Sequence, residues 1–170
     1  MKIYTKFGDE GKSTTPFGKI DKGHVYFKVL GGVDEIMALL GLIESKMNEI
    51  ESCKDIVNEL NDIGDDLKAL LDDLWVNNPS NQKLDLKRIN ALEKSIDEMT
   101  KSLDPIYGFI KPKGNEVALL VNLTRCVVRR VETDYFRLIR SMNMELDGGK
   151  YLNRLSDYLF TLFRYLDKIL

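Results

Sequence analysis

Two glycines, three lysines and four aliphatic hydroxyls crowd the first fifteen residues, Met1-Lys-Ile-Tyr-Thr-Lys-Phe-Gly-Asp-Glu-Gly-Lys-Ser-Thr-Thr15. Gly8 and Gly11 let the backbone turn its amides toward a ligand. Ser13, Thr14 and Thr15 offer hydroxyl donors, and Lys6 and Lys12 supply charge. This is the chemistry of an anion cradle. It is not a Walker A loop, which needs four residues between its glycines and an apolar strand before the first, whereas Gly8 and Gly11 are only three apart and no such strand precedes them. A second cationic group lies far along the chain, in Thr124-Arg-Cys-Val-Val-Arg-Arg-Val-Glu132. Arg125 and Arg129 are four residues apart and share one helix face. Guanidinium groups stacked among valines need carboxylates or phosphates to answer them. Asp34, Glu35 and Asp157 are the candidate carboxylates, and both answers are open on these residues alone. Asn153 and Asp157 form a third polar pair, one helical turn apart, suited to capping or to polar contact with a ligand.

Helices must position these groups. Ile56, Leu60, Ile63, Leu67, Leu70 and Leu74 step by three and four residues, as do Leu86, Ile89, Leu92, Ile96, Met99 and Leu103. The same period runs through Val117, Val121, Val128, Val131, Tyr135 and Leu138, and through Leu152, Leu155, Leu159, Leu162, Leu166 and Ile169. Each series is an apolar stripe facing a neighbour. Gly31-Gly32, Asn77-Asn78-Pro79-Ser80, Asp104-Pro105, Pro112-Lys-Gly114 and Asp147-Gly148-Gly149 punctuate them. The spacing predicts five helices over 33–47, 49–76, 85–103, 115–143 and 149–169. Short connections favour antiparallel neighbours, so the fold class is all-α, a five-helix up-and-down bundle. The whole chain, 1–170, reads as one domain, with a 1–30 N-terminal segment leading into a 31–170 bundle.

With 170 residues and a net charge of −2 from 25 basic and 27 acidic side chains, the chain suits one core and presents no global field for nucleic acid or an anionic membrane. No apolar run is long enough to span a bilayer, and there is no apolar signal stretch. A soluble cytoplasmic protein is expected, with Cys53 and Cys126 reduced. The single histidine, His24, excludes the usual zinc and Ser-His-Asp chemistries.

Five segments, in order, resemble one family. They are Tyr4-Thr-Lys-Phe-Gly-Asp-Glu-Gly-Lys-Ser-Thr14, Val33-Asp-Glu-Ile-Met-Ala-Leu-Leu-Gly41, Phe109-Ile-Lys-Pro-Lys-Gly114, Arg125-Cys-Val-Val-Arg-Arg-Val-Glu132 and Tyr151-Leu-Asn-Arg-Leu-Ser-Asp157. Their order and spacing are similar to those of the propanediol-utilisation-type ATP:cob(I)alamin adenosyltransferases, over essentially the whole chain. The resemblance implies a ferritin-like five-helix bundle that assembles as a homotrimer with active sites at subunit interfaces. It implies transfer of the 5′-deoxyadenosyl group of ATP to reduced cobalamin, with release of triphosphate. A non-catalytic ATP- or corrinoid-binding bundle, serving as sensor or cofactor chaperone, is the alternative.

Carried over by position, the resemblance assigns Thr5, Lys6, Phe7, Gly8, Ser13 and Thr14 to the triphosphate loop and Lys22 to the nucleotide. It assigns Arg129, Arg130 and Glu132 to the ATP-binding turn of the fourth helix, and Asn153 to the phosphates and their Mg2+. Asp34 and Arg125 resemble an ion pair between subunits. Phe109 matches the aromatic that displaces the lower axial ligand of cobalamin, leaving a cobalt(II) that is easier to reduce. A reductase and an adenosylcobalamin-dependent enzyme are the implied partners. The chain departs from the family pattern at Met37, Lys113, Asn122 and Phe7, which places altered affinity in the corrinoid pocket.

Overall fold

The computed structural model describes residues 2–4 and 6–170; Met1 and Thr5, the latter among the expected phosphate-loop residues, lie outside them. Two short strands come first, β1 (Lys12–Thr15) and β2 (Gly18–Asp21), antiparallel with Lys12 opposite Asp21 and Thr15 opposite Gly18. Pro16-Phe17 makes the turn. Thr15 Oγ1 donates to Gly18 O at 2.9 Å and accepts from Phe17 N at 3.2 Å. The Thr15 hydroxyl is therefore spent on the hairpin, and Thr15 is buried. This corrects its reading as an anion donor.

Five helices follow: α1 (Val25–Met47), α2 (Lys54–Val76), α3 (Lys87–Thr100), α4 (Glu116–Ser141) and α5 (Gly148–Ile169). His24 caps α1, its Nδ1 accepting from Tyr26 N at 3.1 Å, so the lone imidazole has a structural task. The spacing predicts a start at Val33, yet α1 begins at Val25 and runs through Gly31-Gly32. The reason is tertiary: a Cβ on Gly32 would collide with Val131 of α4, so glycine here permits close helix approach instead of breaking the helix. A 3-10 turn over Glu51–Cys53 delays α2, and α3 ends at Thr100, short of the predicted 103.

In the up-and-down bundle α4 packs between α5 and α1, α2 lies beside α1, and α3 lies on α5. The second and fifth stripes are buried from Leu60 to Leu74 and from Leu152 to Leu166. α3 is shallower; Leu92 is its one fully covered position, and Leu86 is exposed. Asn115 caps α4 through Ala118 N (2.9 Å), while its Nδ2 donates to Leu166 O (3.0 Å), tying the start of α4 to the end of α5.

Polar layers interrupt this core at a seven-residue spacing along α2. Glu59 accepts from Tyr158 Oη (2.9 Å) and from Ser95 Oγ. Asp66 accepts from Tyr151 Oη (2.8 Å) and from Arg88 Nε (2.8 Å). Asp73 accepts the backbone amides of Lys83 (2.6 Å) and Leu84 (3.0 Å). Asp66 and Asp73 are buried and Glu59 half-buried, and each is met by donors; a buried charge left unpaired would cost about 3–5 kcal/mol. Burial raises the Tyr151 and Tyr158 phenols, and the facing carboxylates raise them further. Among the described residues no helix is long and apolar enough to cross a membrane.

Candidate active site

The N-terminal segment folds into a shallow cup. Lys6 and Gly11 take positive φ, 60° and 76°, and the amides of Asp9 and Gly11 bond to the carbonyls of Lys6 and Gly8 at 3.2 Å. Lys22 N reaches Gly11 O at 2.8 Å, which pins the loop to the end of β2. Lys6, Phe7, Gly8, Ser13, Thr14 and Lys22 line a concavity of about 460 Å3. The Lys22 ammonium arches over Gly8, where an added Cβ would lie 2.6 Å from Nζ. Five expected loop residues and Lys22 therefore converge, with two ammonium groups and two hydroxyls at one opening. Glycine at position 8 leaves room for the lysine to cross the backbone.

The second part of the candidate site is the seam between α4 and α5. Asn153 Nδ2 donates to Glu132 Oε1 at 2.9 Å, joining two expected residues across the seam and leaving Asn153 Oδ1 as an available acceptor. Glu132, Phe136, Gly149, Lys150, Asn153 and Arg154 border a concavity of about 510 Å3. Tyr135 Oη accepts from Gly148 N at 3.1 Å and fixes the first turn of α5 beneath it. Burial is the main cause of the raised Tyr135 pKa. A Cβ on Gly149 would sit 2.6 Å from Phe136 Cζ, so this pair of glycines lets α5 start directly against α4.

The arginines divide. Arg130 forms an ion pair with Glu35 of α1, one of the carboxylates named from sequence. Arg125 Nε donates to Asn122 Oδ1 at 2.9 Å, and its guanidinium lies 5.5 Å from the Phe160 ring. Asp157 pairs with Arg154 at 2.7 Å, which in turn holds Glu93 at 2.9 Å. Arg129 is exposed and, among the described residues, makes no ion pair. Asp34 on α1 is likewise exposed and unpaired among them, and it does not meet Arg125 within the chain. Phe109 projects fully into solvent from the loop between α3 and α4, next to the equally uncovered Tyr107. Lys150 and Arg154 border the Asn153 concavity without having been singled out in the sequence; their place one helical turn apart, flanking Asn153, was the available signal.

The fold is a five-helix bundle with a cationic N-terminal cup and an arginine-bearing fourth helix. The family model for cobalamin adenosyltransferase matches residues 3–166, and the chain belongs to that family. A corrinoid adenosyltransferase of Bacillus subtilis is 32% identical over 165 residues, covering 96% of this chain and 86% of the relative. The human corrinoid adenosyltransferase MMAB is 33% identical over 170 residues, covering 96% and 68%. Among solved structures, an arginine-to-lysine variant of a PduO-type ATP:co(I)rrinoid adenosyltransferase from Lactobacillus reuteri, complexed with ATP, superposes with a TM-score of 0.84 at 28% identity, covering 98% of this chain and 94% of that one. A phenylalanine-to-histidine variant of the PduO-type enzyme from the same organism, complexed with cobalamin and ATP, gives 0.84 at 27% identity, covering 98% and 91%.

Proposed function

We propose that this chain transfers the 5′-deoxyadenosyl group of ATP to the cobalt of a reduced corrinoid, at a site built from the N-terminal cup, the Arg129 face of α4 and the Phe109 loop. Cobalt(I) attacks the ribose 5′ carbon; the Co–C bond forms with the cobalt electron pair, and the C–O bond breaks with its pair leaving on the triphosphate. No proton is abstracted, so no general base is needed. The carrying observation is the unpaired Arg129, a cation exposed on the same helix where Arg130 is answered by a carboxylate. With Lys6 and Lys22 it meets charge that grows on the departing triphosphate, and holding both substrates supplies in-line geometry. Ser13, Thr14 and the loop around Gly8 bind the phosphates, aided by Phe7 and, by family position, Thr5. Arg130 and Glu132 border the nucleotide.

Mg2+ fits the oxygen donors at the seam, since Asn153 Oδ1 faces away from its bond to Glu132. Asn153 would hold it together with the phosphates, and the ion would neutralise phosphate charge. Among the described residues there is no cluster of three or more metal-ligating side chains, which suits a metal carried mainly by its substrate.

Phe109 lies beneath the corrin in this reading and excludes the lower axial ligand; the solvent-facing ring has no packing role inside the chain. Asp34 and Arg125 pair across subunits of a homotrimer, supported by the exposure of Asp34 and by the lack of an Asp34–Arg125 contact within one chain. Light scattering checks this, and a mass near 19.5 kDa removes it. The free, exposed Cys126 thiol supports a reducing, cytoplasmic setting, where a reductase supplies electrons and a corrinoid-dependent enzyme takes the product. Anaerobic incubation with ATP, magnesium and chemically reduced cobalamin should yield the spectrum of the alkylated corrinoid. ATP binding without that change overturns the catalytic reading.

A further inference from the structure

A concavity with an excess of cations takes no part in the reaction so far. It measures about 350 Å3 and lies where the loop between α3 and α4 meets the end of α5. Four cations border it, Lys111, Lys113, Arg164 and Lys168, against two carboxylates, Asp104 and Asp167. Arg164 donates to the carbonyl of Asp104 and Lys168 to that of Ser102, so the α5 cations fasten the loop through neutral acceptors and keep their charge. Lys111 and Lys113 make no ion pair among the described residues and are exposed. Gly114, at φ +139°, brings the backbone so close to Asp167 that a Cβ would overlap its carboxylate. The loop is thereby seated against α5 with Lys113 at the rim. Lys111 is two residues from Phe109.

We infer that this cavity takes the phosphodiester of the corrinoid's nucleotide tail, and that Lys111 and Lys113 set a preference for complete corrinoids over tail-less ones. The inference rests on the placement of Phe109 beneath the corrin. An aromatic ring that displaces the lower base frees the tail carrying that base, and the tail stays tethered to the lower face of the macrocycle. Its one anionic group is the phosphodiester. Two of the four cations, Lys111 and Lys113, lie on the loop that holds the displacing ring, and the cavity shares no lining residue with the cup assigned to ATP. Lysine and arginine donors around an open cavity suit a singly charged phosphodiester without demanding a fixed geometry.

The test compares kcat/KM for reduced cobalamin and for reduced cobinamide, which lacks the tail, in the unmodified protein and in a Lys111→Glu/Lys113→Glu double variant. Spectral titration with the cobalt(II) form of each corrinoid gives binding without turnover. The ratio of cobalamin to cobinamide efficiency should fall about tenfold through KM, the scale of a few surface ion pairs. A Lys111→Arg/Lys113→Arg variant should retain the ratio, and in the unmodified protein the ratio should fall as salt rises. An unchanged ratio in the glutamate variant overturns the inference. If the unmodified protein alkylates neither corrinoid, the adenosyltransferase reading fails instead, and the cobalt(II) titrations still decide whether the lysines discriminate.

Discussion

The polar residues of the α2, α3 and α5 seam and those of the α4 face and N-terminal cup are similar in kind and opposite in satisfaction. Inside the seam, Glu59, Asp66 and Asp73 each meet two donors from the same chain, and the two tyrosines that serve them are fully covered. On the other side, among the described residues, Arg129 meets no carboxylate, Lys6 and Lys22 face an open cup, and Phe109 is fully exposed. A core charge is expensive unless met, so the first region reports how the bundle selects its register. The second region retains groups that nothing among the described residues meets, as the site proposed above requires.

Breaking each side separately sharpens the contrast. Arg129→Ala should lose about 3 kcal/mol of transition-state stabilisation, roughly two orders of magnitude in kcat/KM, the cost of one charged donor at a site of developing charge. Its melting temperature should not move, because the exposed side chain makes no ion pair among the described residues. A matching loss of stability would put Arg129 with the structural charges. Asp66→Ala should do the reverse, costing about 2–3 kcal/mol of folding stability by stranding the Tyr151 hydroxyl and leaving Arg88 only its longer contact to Asp62. Urea unfolding measures this, and unchanged activity per folded molecule completes the contrast.

Phe109→Ala tests the apolar member of the open region. Starting from cobalt(II), adenosylation should slow about thirtyfold, ~2 kcal/mol, while ATP binding stays near normal. With cobalt(I) supplied ready-made the defect should shrink, since the reductive step is bypassed. Equal loss from both starting states would leave Phe109 as a loop anchor only. The smallest expected effect belongs to the covered region. Tyr135, Tyr151 and Tyr158 have pKa values raised by burial. The folded chain therefore keeps protons that the unfolded chain releases above about pH 10. Stability is full below that pH and falls as pH rises further, by about 1.4 kcal/mol per pH unit for each phenol. Tyr151→Phe should flatten the decline by one proton, measured by thermal unfolding between about pH 9 and about pH 11.

The helices α2, α4 and α5 were legible because their stripes repeat for five or more turns. The start of α1 was not, since Gly31-Gly32 looks like punctuation in one dimension and acts as a contact surface for Val131 in three. The hairpin was missed for a related reason. Strands of four residues carry too little alternation to register, although Thr-Pro-Phe-Gly at 15–18 is a turn signal. Convergence of Lys6, Ser13 and Thr14 was readable from residue types and that of Lys22 only from the family resemblance, whereas the pairing of Arg130 with Glu35 needed the approach of α1 to α4. The carboxylates of α2 were overlooked because solvated acids and buried acids look alike until their partners on α3 and α5 are known.

That close approach at Gly32 also limits how the molecule can move. α1 carries Asp34 and Glu35, and α4 carries Arg125, Arg129 and Arg130. With Val131 seated in the notch and Glu35 bound to Arg130 a turn away, the two helices have little freedom to slide or roll against each other. Any adjustment to an arriving nucleotide or corrinoid must then be taken up by the hairpin segment and the 101–115 loop. With the site proposed above, the conformational entropy lost on binding would fall on two short stretches of backbone, while the row of charges on α1 and α4 is set during folding.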